Sequence, residues 1–377
     1  MKPFSPELLV LSFILLVLSC AIRPAKGRWI LWVIIVALNT YLTMTTTGDS
    51  TLDYDIANNL FVITLTATDY ILLTDVQREL QFRNQKGVEQ ASLLERIKWA
   101  TWLVQSRRGV GWNWEPKIFV HRFSPKTSRL SFLLQQLVTG ARHYLICDLV
   151  SLYSRSPVAF AEPLASRPLI WRCADIAAWL LFTTNQVSIL LTALSLMQVL
   201  SGYSEPQDWV PVFGRWRDAY TVRRFWGRSW HQLVRRCLSS PGKYLSTKVL
   251  GLKPGSNPAL YVQLYAAFFL SGVLHAIGDF KVHEDWYKAG TMEFFCVQAV
   301  IIQMEDGVLW VGRKLGIKET WYWRALGHLW TVAWFVYSCP NWLGATISGR
   351  GKASMALESS LVLGLYRGEW HPPRVAQ

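Results

Sequence analysis

Charged side chains are scarce in this sequence. Asp, Glu, Lys and Arg make up 17% of its 377 residues against 51% hydrophobic ones, a balance too apolar for a soluble domain of this size. Histidine is rarer, at seven, so the several histidine-rich boxes that membrane di-iron oxygenases and desaturases need are absent. The six cysteines, at 20, 147, 173, 237, 296 and 339, show no CxxC spacing, which argues against a disulfide framework and against a zinc site. They lie mostly in or beside apolar runs and read as small buried hydrophobes. There is no DDxxD or NDxxD cluster to hold magnesium on a diphosphate, which sets aside membrane prenyltransferases and terpene cyclases. Neither a GxSxG elbow nor a GxGxxG loop after a strand is found. Internal repeats and Gly/Ser linkers are also missing, so residues 1–377 read as one integral-membrane domain.

What the chain does have is 20 Trp, 17 Phe, 14 Tyr and long apolar runs. Runs at 7–22, 29–47, 56–74, 130–153, 176–200, 258–278, 291–311 and 323–343 mostly approach the roughly 20 residues a helix needs to cross a hydrocarbon core of about 30 Å. The expected fold is therefore all-α and polytopic, with about eight transmembrane helices plus interfacial amphipathic helices. The second and fourth runs are interrupted by polar residues. The first is short enough for a secretory signal, but its start is weakly basic and more apolar runs follow at once, so it is read as a retained anchor.

The net charge of +14 sits in loops, not on a soluble nucleic-acid-binding domain. Residues 77–129 hold eleven Lys or Arg against four acids, and residues 203–257 hold ten against three, which places both on the cytosolic side. Residues 48–55 carry Asp49, Asp53 and Asp55 with no base, which suits the opposite face, and a lumenal start with eight crossings fits these signs. Trp99, Trp102, Trp112 and Trp114 stand among Arg107, Arg108 and Lys117, a mixture that suits helices at the headgroup level. Anchoring at the interface and contact with a substrate both fit it.

Two histidines carry the chemical interest. His275 interrupts the apolar run 260–275, and an ionisable side chain in membrane marks a function more often than a packing accident. Around it Ser271, Gly272, Ala276 and Gly278 permit close backbone packing or leave room for a ligand. Asp279 follows at i+4 and is placed to orient one ring nitrogen, leaving the other as a base. A satisfied core histidine fits the same residues. A metal shared by His275, Asp279 and His283, at i, i+4 and i+8, is a further alternative, and none is expected.

His231 ends the block 223–231, rich in Arg and Trp. Wound as a helix, residues 217–237 put Ala219, Val222, Trp226, Trp230, Leu233 and Cys237 on one stripe and Arg217, Arg224, Arg228, His231 and Arg235 opposite. Such a helix lies on a membrane surface with a solvated basic face, or lines a path for an anionic cosubstrate. Like charge around His231 favours its neutral form, which can both donate and accept a hydrogen bond.

The run Phe225-Trp-Gly-Arg-Ser-Trp-His231-Gln232, followed by Ser271-Gly-Val-Leu-His275 in an apolar helix, resembles the wax synthase-like branch of the membrane-bound O-acyltransferase family. Within it the chain looks most like fungal enzymes that acetylate terpenoid or meroterpenoid alcohols. The likeness is specific over 211–279 and weaker at 107–114 and 144–149. It implies that His275 is catalytic and that His231 is the second polar residue of the site, a place where many relatives have Asn. It also implies an endoplasmic reticulum membrane location and acyl-CoA as cosubstrate, with no cofactor or metal. On this reading Arg224, Arg228, Arg235, Trp226 and Trp230 receive the acyl-CoA, and a hydrophobic alcohol arrives through the bilayer. A long-chain wax or sterol ester synthase and a non-enzymatic membrane scaffold or transporter are the other readings.

Overall fold

The structure is a computed structural model that describes residues 2–83, 85, 87–160 and 163–372. In chain order its helices are α1 (Pro6–Ala21), α2 (Trp29–Thr43), α3 (Ser50–Ala67), α4 (Val76–Glu79), α5 (Leu93–Gln105), α6 (Arg129–Ser154) and α7 (Leu169–Leu200). They continue with α8 (Val222–Arg224), α9 (Arg235–Tyr244), α10 (Asn257–His283), α11 (Thr291–Lys314), α12 (Trp321–Ser338), α13 (Pro340–Arg350) and α14 (Leu361–Arg367). Among the described residues the strands are β1 (Lys2–Pro3) and β2 (Thr45–Thr46), a parallel pair with Lys2 opposite Thr45. The chain divides into two compact units, one of Met1–Lys117 with Gln232–Gly307 and one of Ile118–His231 with Val308–Gln377.

In the first unit the helices start where side chains satisfy their first amide groups. Ser5 accepts from Leu8 N–H ahead of Pro6, Asp49 accepts from Thr51 and Leu52 N–H, and Ser92 and Glu95 close a capping box on α5. Ser256 accepts from Ala259 N–H to start α10, which ends at Glu284 in a left-handed conformation. Leu16, Val17 and Cys20 of α1 pack with Ile35 of α2 and Leu103 of α5. A polar bolt joins α1, α2 and α3: buried Asn39 accepts from Ser12 Oγ at 2.7 Å and donates to Thr64 Oγ1 at 3.0 Å. Val62 and Leu65 of α3, Cys237 and Leu238 of α9, and Leu274 of α10 form a second core. The last of these residues puts α10, and so His275, against α3.

Two tryptophans of the aromatic-basic segment are buried in the core of α1, α2 and α5. Trp99 and Trp112 pack edge-to-face with centroids 5.6 Å apart and are 6% and 3% exposed. The reason is a fold-back of the chain after α5. Gly109 and Gly111 take positive φ of 68° and 78°, and Arg83 N–H donates to Gly111 O at 2.8 Å. A Cβ at Gly111 would stand 2.7 Å from the Phe82 ring, so glycine lets that ring cover the turn.

In the second unit α6 and α7 lie along one another. Three polar residues of α6 are matched within this unit. His143 Nδ1 stands 2.6 Å from Asn185 Oδ1 of α7, Tyr153 OH donates to buried Asp175 at 2.7 Å, and Asp148 accepts from Val362 N–H of α14 at 3.0 Å. Arg167 Nε pairs with Asp175 at 2.9 Å. Polar groups in an apolar helix persist when they are matched in this way.

Among the described residues four helices are long and apolar enough to cross a membrane: Ser50–Leu73, in which a π turn extends α3, then α7, α10 and α11. The other four expected spans are less apolar or shorter. The α1 helix has 16 residues and α2 has 15, which rise only about 24 Å and 22 Å. Arg142, His143 and Asp148 interrupt α6, and Arg324 and His328 interrupt α12. Leu190, Met197 and Leu200 on α7 and Val308 on α11 face outward, an apolar surface suited to lipid.

Candidate active site

In the first unit the site is built on α10. His275 lies about two turns before the C-terminal end of α10, half-buried, with two partners from different helices. Its Nδ1 stands 3.3 Å from the hydroxyl of Tyr54, one turn into α3. Its ring stacks on that of Phe295 of α11, with centroids 4.7 Å apart and planes within 1°. Tyr54 is itself buried, at 5% exposure.

The small residues flanking His275 are there for backbone approach. A Cβ at Gly278 would stand 2.9 Å from the Tyr54 ring and 2.6 Å from Asn58 Oδ1, a buried oxygen that makes no hydrogen bond. A Cβ at Gly272 would stand 2.9 Å from Met292 Sδ. Glycine at these positions therefore brings α3 and α11 against the face of α10 that carries the histidine.

Buried Asp279, expected to orient His275, accepts a hydrogen bond from the Thr291 hydroxyl at the start of α11. The Tyr54 phenol stands beside His275 Nδ1. Two residues on, Lys281 donates to Thr45 O at 2.6 Å. The α10 helix does continue through His283, but among the described residues no three His, Cys, Asp or Glu side chains gather as a metal-binding group. Arg235 also belongs to this unit; it opens α9 and donates to Gln232 Oε1 at 2.8 Å.

In the second unit, the block 217–231 does not wind into the single amphipathic helix expected from its spacing. A 3-10 turn (Trp216–Asp218), the three residues of α8 and a π turn (Phe225–Ser229) follow in sequence, and Trp230, in extended conformation, ends the winding. The basic stripe is thereby broken. The physical cause is a backbone crossing: Gly214 N–H donates to Ser229 O at 3.0 Å and Ser229 Oγ donates to Arg215 O at 3.0 Å, which straps 214–215 across 228–229.

The aromatic residues of the block gather as a cluster and not as a stripe. Trp230 stacks on Phe225 at 5.5 Å and on Trp179 of α7 at 6.3 Å, and meets Trp226 edge-on at 5.8 Å. The His231 ring packs between Trp230 at 5.3 Å and Phe213 at 6.0 Å. Arg228 is exposed, whereas the Arg224 guanidinium lies 4.2 Å from the centroid of the Tyr220 ring. Tyr220 OH donates to Glu319 at 2.9 Å, and Arg324 Nε donates to the same carboxylate at 2.6 Å. These two donors hold the Glu319 carboxyl below its ordinary range, the arginine first.

The sequence-predicted site residues thus fall in both units, with His275, Asp279 and Arg235 in one and Arg224, Trp226, Arg228, Trp230 and His231 in the other. Tyr54, Asn58 and Phe295 were not legible as site residues. Tyr54 is 221 positions from His275, and nothing local marks it.

A sequence model of the membrane bound O-acyl transferase family matches residues 209–297, a stretch that contains both histidines. The acetyltransferase eriL of Hericium erinaceus is 31% identical over 94% of each chain. The acetyltransferase aurG of Calcarisporium arbuscula is 31% identical over 69% of this chain and 68% of its own. The acetyltransferase pyr8 of Aspergillus fumigatus is 30% identical over 76% of this chain and 73% of its own. No solved structure matches the chain significantly.

Proposed function

The chain belongs to the membrane-bound O-acyltransferase family and is an acyltransferase, and from that premise we propose that it moves an acetyl group from acetyl-CoA to a hydroxyl of a hydrophobic terpenoid or meroterpenoid alcohol. We place it in the endoplasmic reticulum membrane with several crossings. The observation that carries the mechanism is His275, seated between Tyr54 and Phe295 on a helix apolar enough to lie in a membrane.

His275 is the general base. With the proton on Nδ1, beside the Tyr54 oxygen, Nε2 carries the lone pair that takes the proton of the alcohol as its oxygen attacks the thioester carbonyl. The tetrahedral intermediate collapses to the ester and the CoA thiolate, which recovers the proton from the imidazolium. Alcohol and acetyl-CoA thus give acetate ester and CoA thiol, and the reaction consumes nothing else. The relatives named acetyltransferases support the short acyl group, and His231, which lies in the matched segment, is assigned to orient the donor. Exposed Arg228 suits a phosphate of CoA, which a guanidinium fork recognises well. The acceptor is a hydrophobic alcohol because a membrane helix presents the base.

The test offers membranes containing wild type or His275→Ala both acetyl-CoA and palmitoyl-CoA with terpenoid, sterol and fatty alcohols. Product mass reads donor and acceptor together. Acetate esters of a terpenoid alcohol, lost in the variant, are the expected result; palmitate esters overturn the acetyl assignment, and undiminished turnover in His275→Ala overturns the base.

A further inference from the structure

We infer that Tyr54 is the positioning residue of the reaction: its phenol holds His275 in the tautomer and ring orientation that a base needs. The inference rests on His275 being that base. A histidine can transfer a proton at one nitrogen only while the proton on the other is held, and a residue at Nδ1 decides which nitrogen is which. In many enzymes a carboxylate does this; here the group at 3.3 Å from Nδ1 is a neutral phenol. Inside an apolar helix pair that choice is physically sensible, because a neutral oxygen accepts the Nδ1 proton without a second buried charge.

The remaining degrees of freedom are removed by packing. The parallel Phe295 ring, 4.7 Å away, restricts rotation of the imidazole about its outer bond, and Tyr54 is buried, so its hydroxyl has little room to leave. Gly278 completes the arrangement. Any side chain there would meet the Tyr54 ring at 2.9 Å, which makes the glycine the space that this tyrosine occupies. Tyr54 of α3 and Phe295 of α11 converge on the imidazole of α10, and Gly278 makes room for the first of them.

Tyr54→Phe keeps the ring and its fit over Gly278 and deletes only the hydroxyl. Kinetics of this variant in membranes with acetyl-CoA and a turned-over alcohol should show kcat lower by on the order of 10- to 100-fold, part of the roughly 10²–10⁴ that a general base supplies. Neither Michaelis constant should change. The acid limb of the kcat profile should move to lower pH, because removing the acceptor at Nδ1 destabilises the imidazolium more than the neutral ring. A loss of folding alone would lower the amount of active enzyme and leave the pH profile where it was, so a lower rate with an unmoved profile overturns the proposal. Gly278→Ala should reproduce the fall in kcat by displacing the tyrosine. Unchanged kcat and profile in Tyr54→Phe, with His275→Ala inactive, overturn the positioning role alone; activity in His275→Ala removes the base on which it rests.

Discussion

The backbone of Gly214 approaches that of Arg228 so closely that a Cβ at 214 would stand 2.0 Å from the Arg228 carbonyl oxygen. Since the obstructing atom is backbone, no rotamer change relieves it. Gly214→Ala should part the crossing that carries Phe213, Trp230 and His231 and destabilise the protein by about 1–3 kcal/mol, as overpacking does. Gly227→Ala, in the same block but with nothing within 4 Å of an added Cβ, should change stability by no more than about 1 kcal/mol. Melting temperatures of the two variants in detergent check the contrast.

The Arg236 and Asp69 pair should be the costliest to break in the first unit. Arg236 Nε lies 2.7 Å from Asp69 Oδ2, the carboxylate is 1% exposed, and Thr74 Oγ1 donates to its other oxygen at 2.7 Å. Asp69→Ala leaves a guanidinium among Tyr70 and Trp114 without its counter-charge, at a cost of about 3–5 kcal/mol. Adding Arg236→Met should recover much of that loss, which a double-mutant cycle on unfolding measures.

Arg228 and Arg224 should separate in their effects although their sequence setting is alike. Arg228 is exposed, so Arg228→Ala should raise the Michaelis constant for acetyl-CoA and leave the melting temperature unchanged. Arg224 rests on Tyr220 beside Glu319 and Arg324, so Arg224→Ala should cost about 0.5–1 kcal/mol of stability. Equal Michaelis constants for Arg228→Ala and wild type would return that arginine to a solvated surface.

Cys237 should report unfolding of the α3, α9 and α10 core. Burial pushes its thiol up to about 12, so at pH 8 the thiolate is on the order of one molecule in 10⁴. Peptide mapping after treatment with N-ethylmaleimide should find Cys237 unmodified in folded protein and modified once denaturant opens the core.

Much of the helical framework is legible in the sequence because its signals are local. The apolar runs at 130–153, 176–200, 258–278 and 291–311 lie inside α6, α7, α10 and α11. The basic-aromatic block misled for the opposite reason. Its 3-4 spacing is that of a helix, but the strap from Gly214 and Arg215 competes for the same backbone, and a periodic pattern does not reveal such a competitor. The burial of Trp99 and Trp112 was not legible either, since the same side chain suits a surface or a core, and two glycines in a turn place these two in the core.

The sequence by itself determined a mostly helical, membrane-suited chain, because apolar runs act within a few residues, and it singled out His275, because an ionisable group in such a run is costly wherever the chain folds. Only the tertiary structure decided what holds that histidine. Tyr54 and Phe295 meet it by the packing of α3, α10 and α11, for which Gly278 leaves the space, and contact across 221 residues arises from the close approach of helix backbones, which no local pattern encodes.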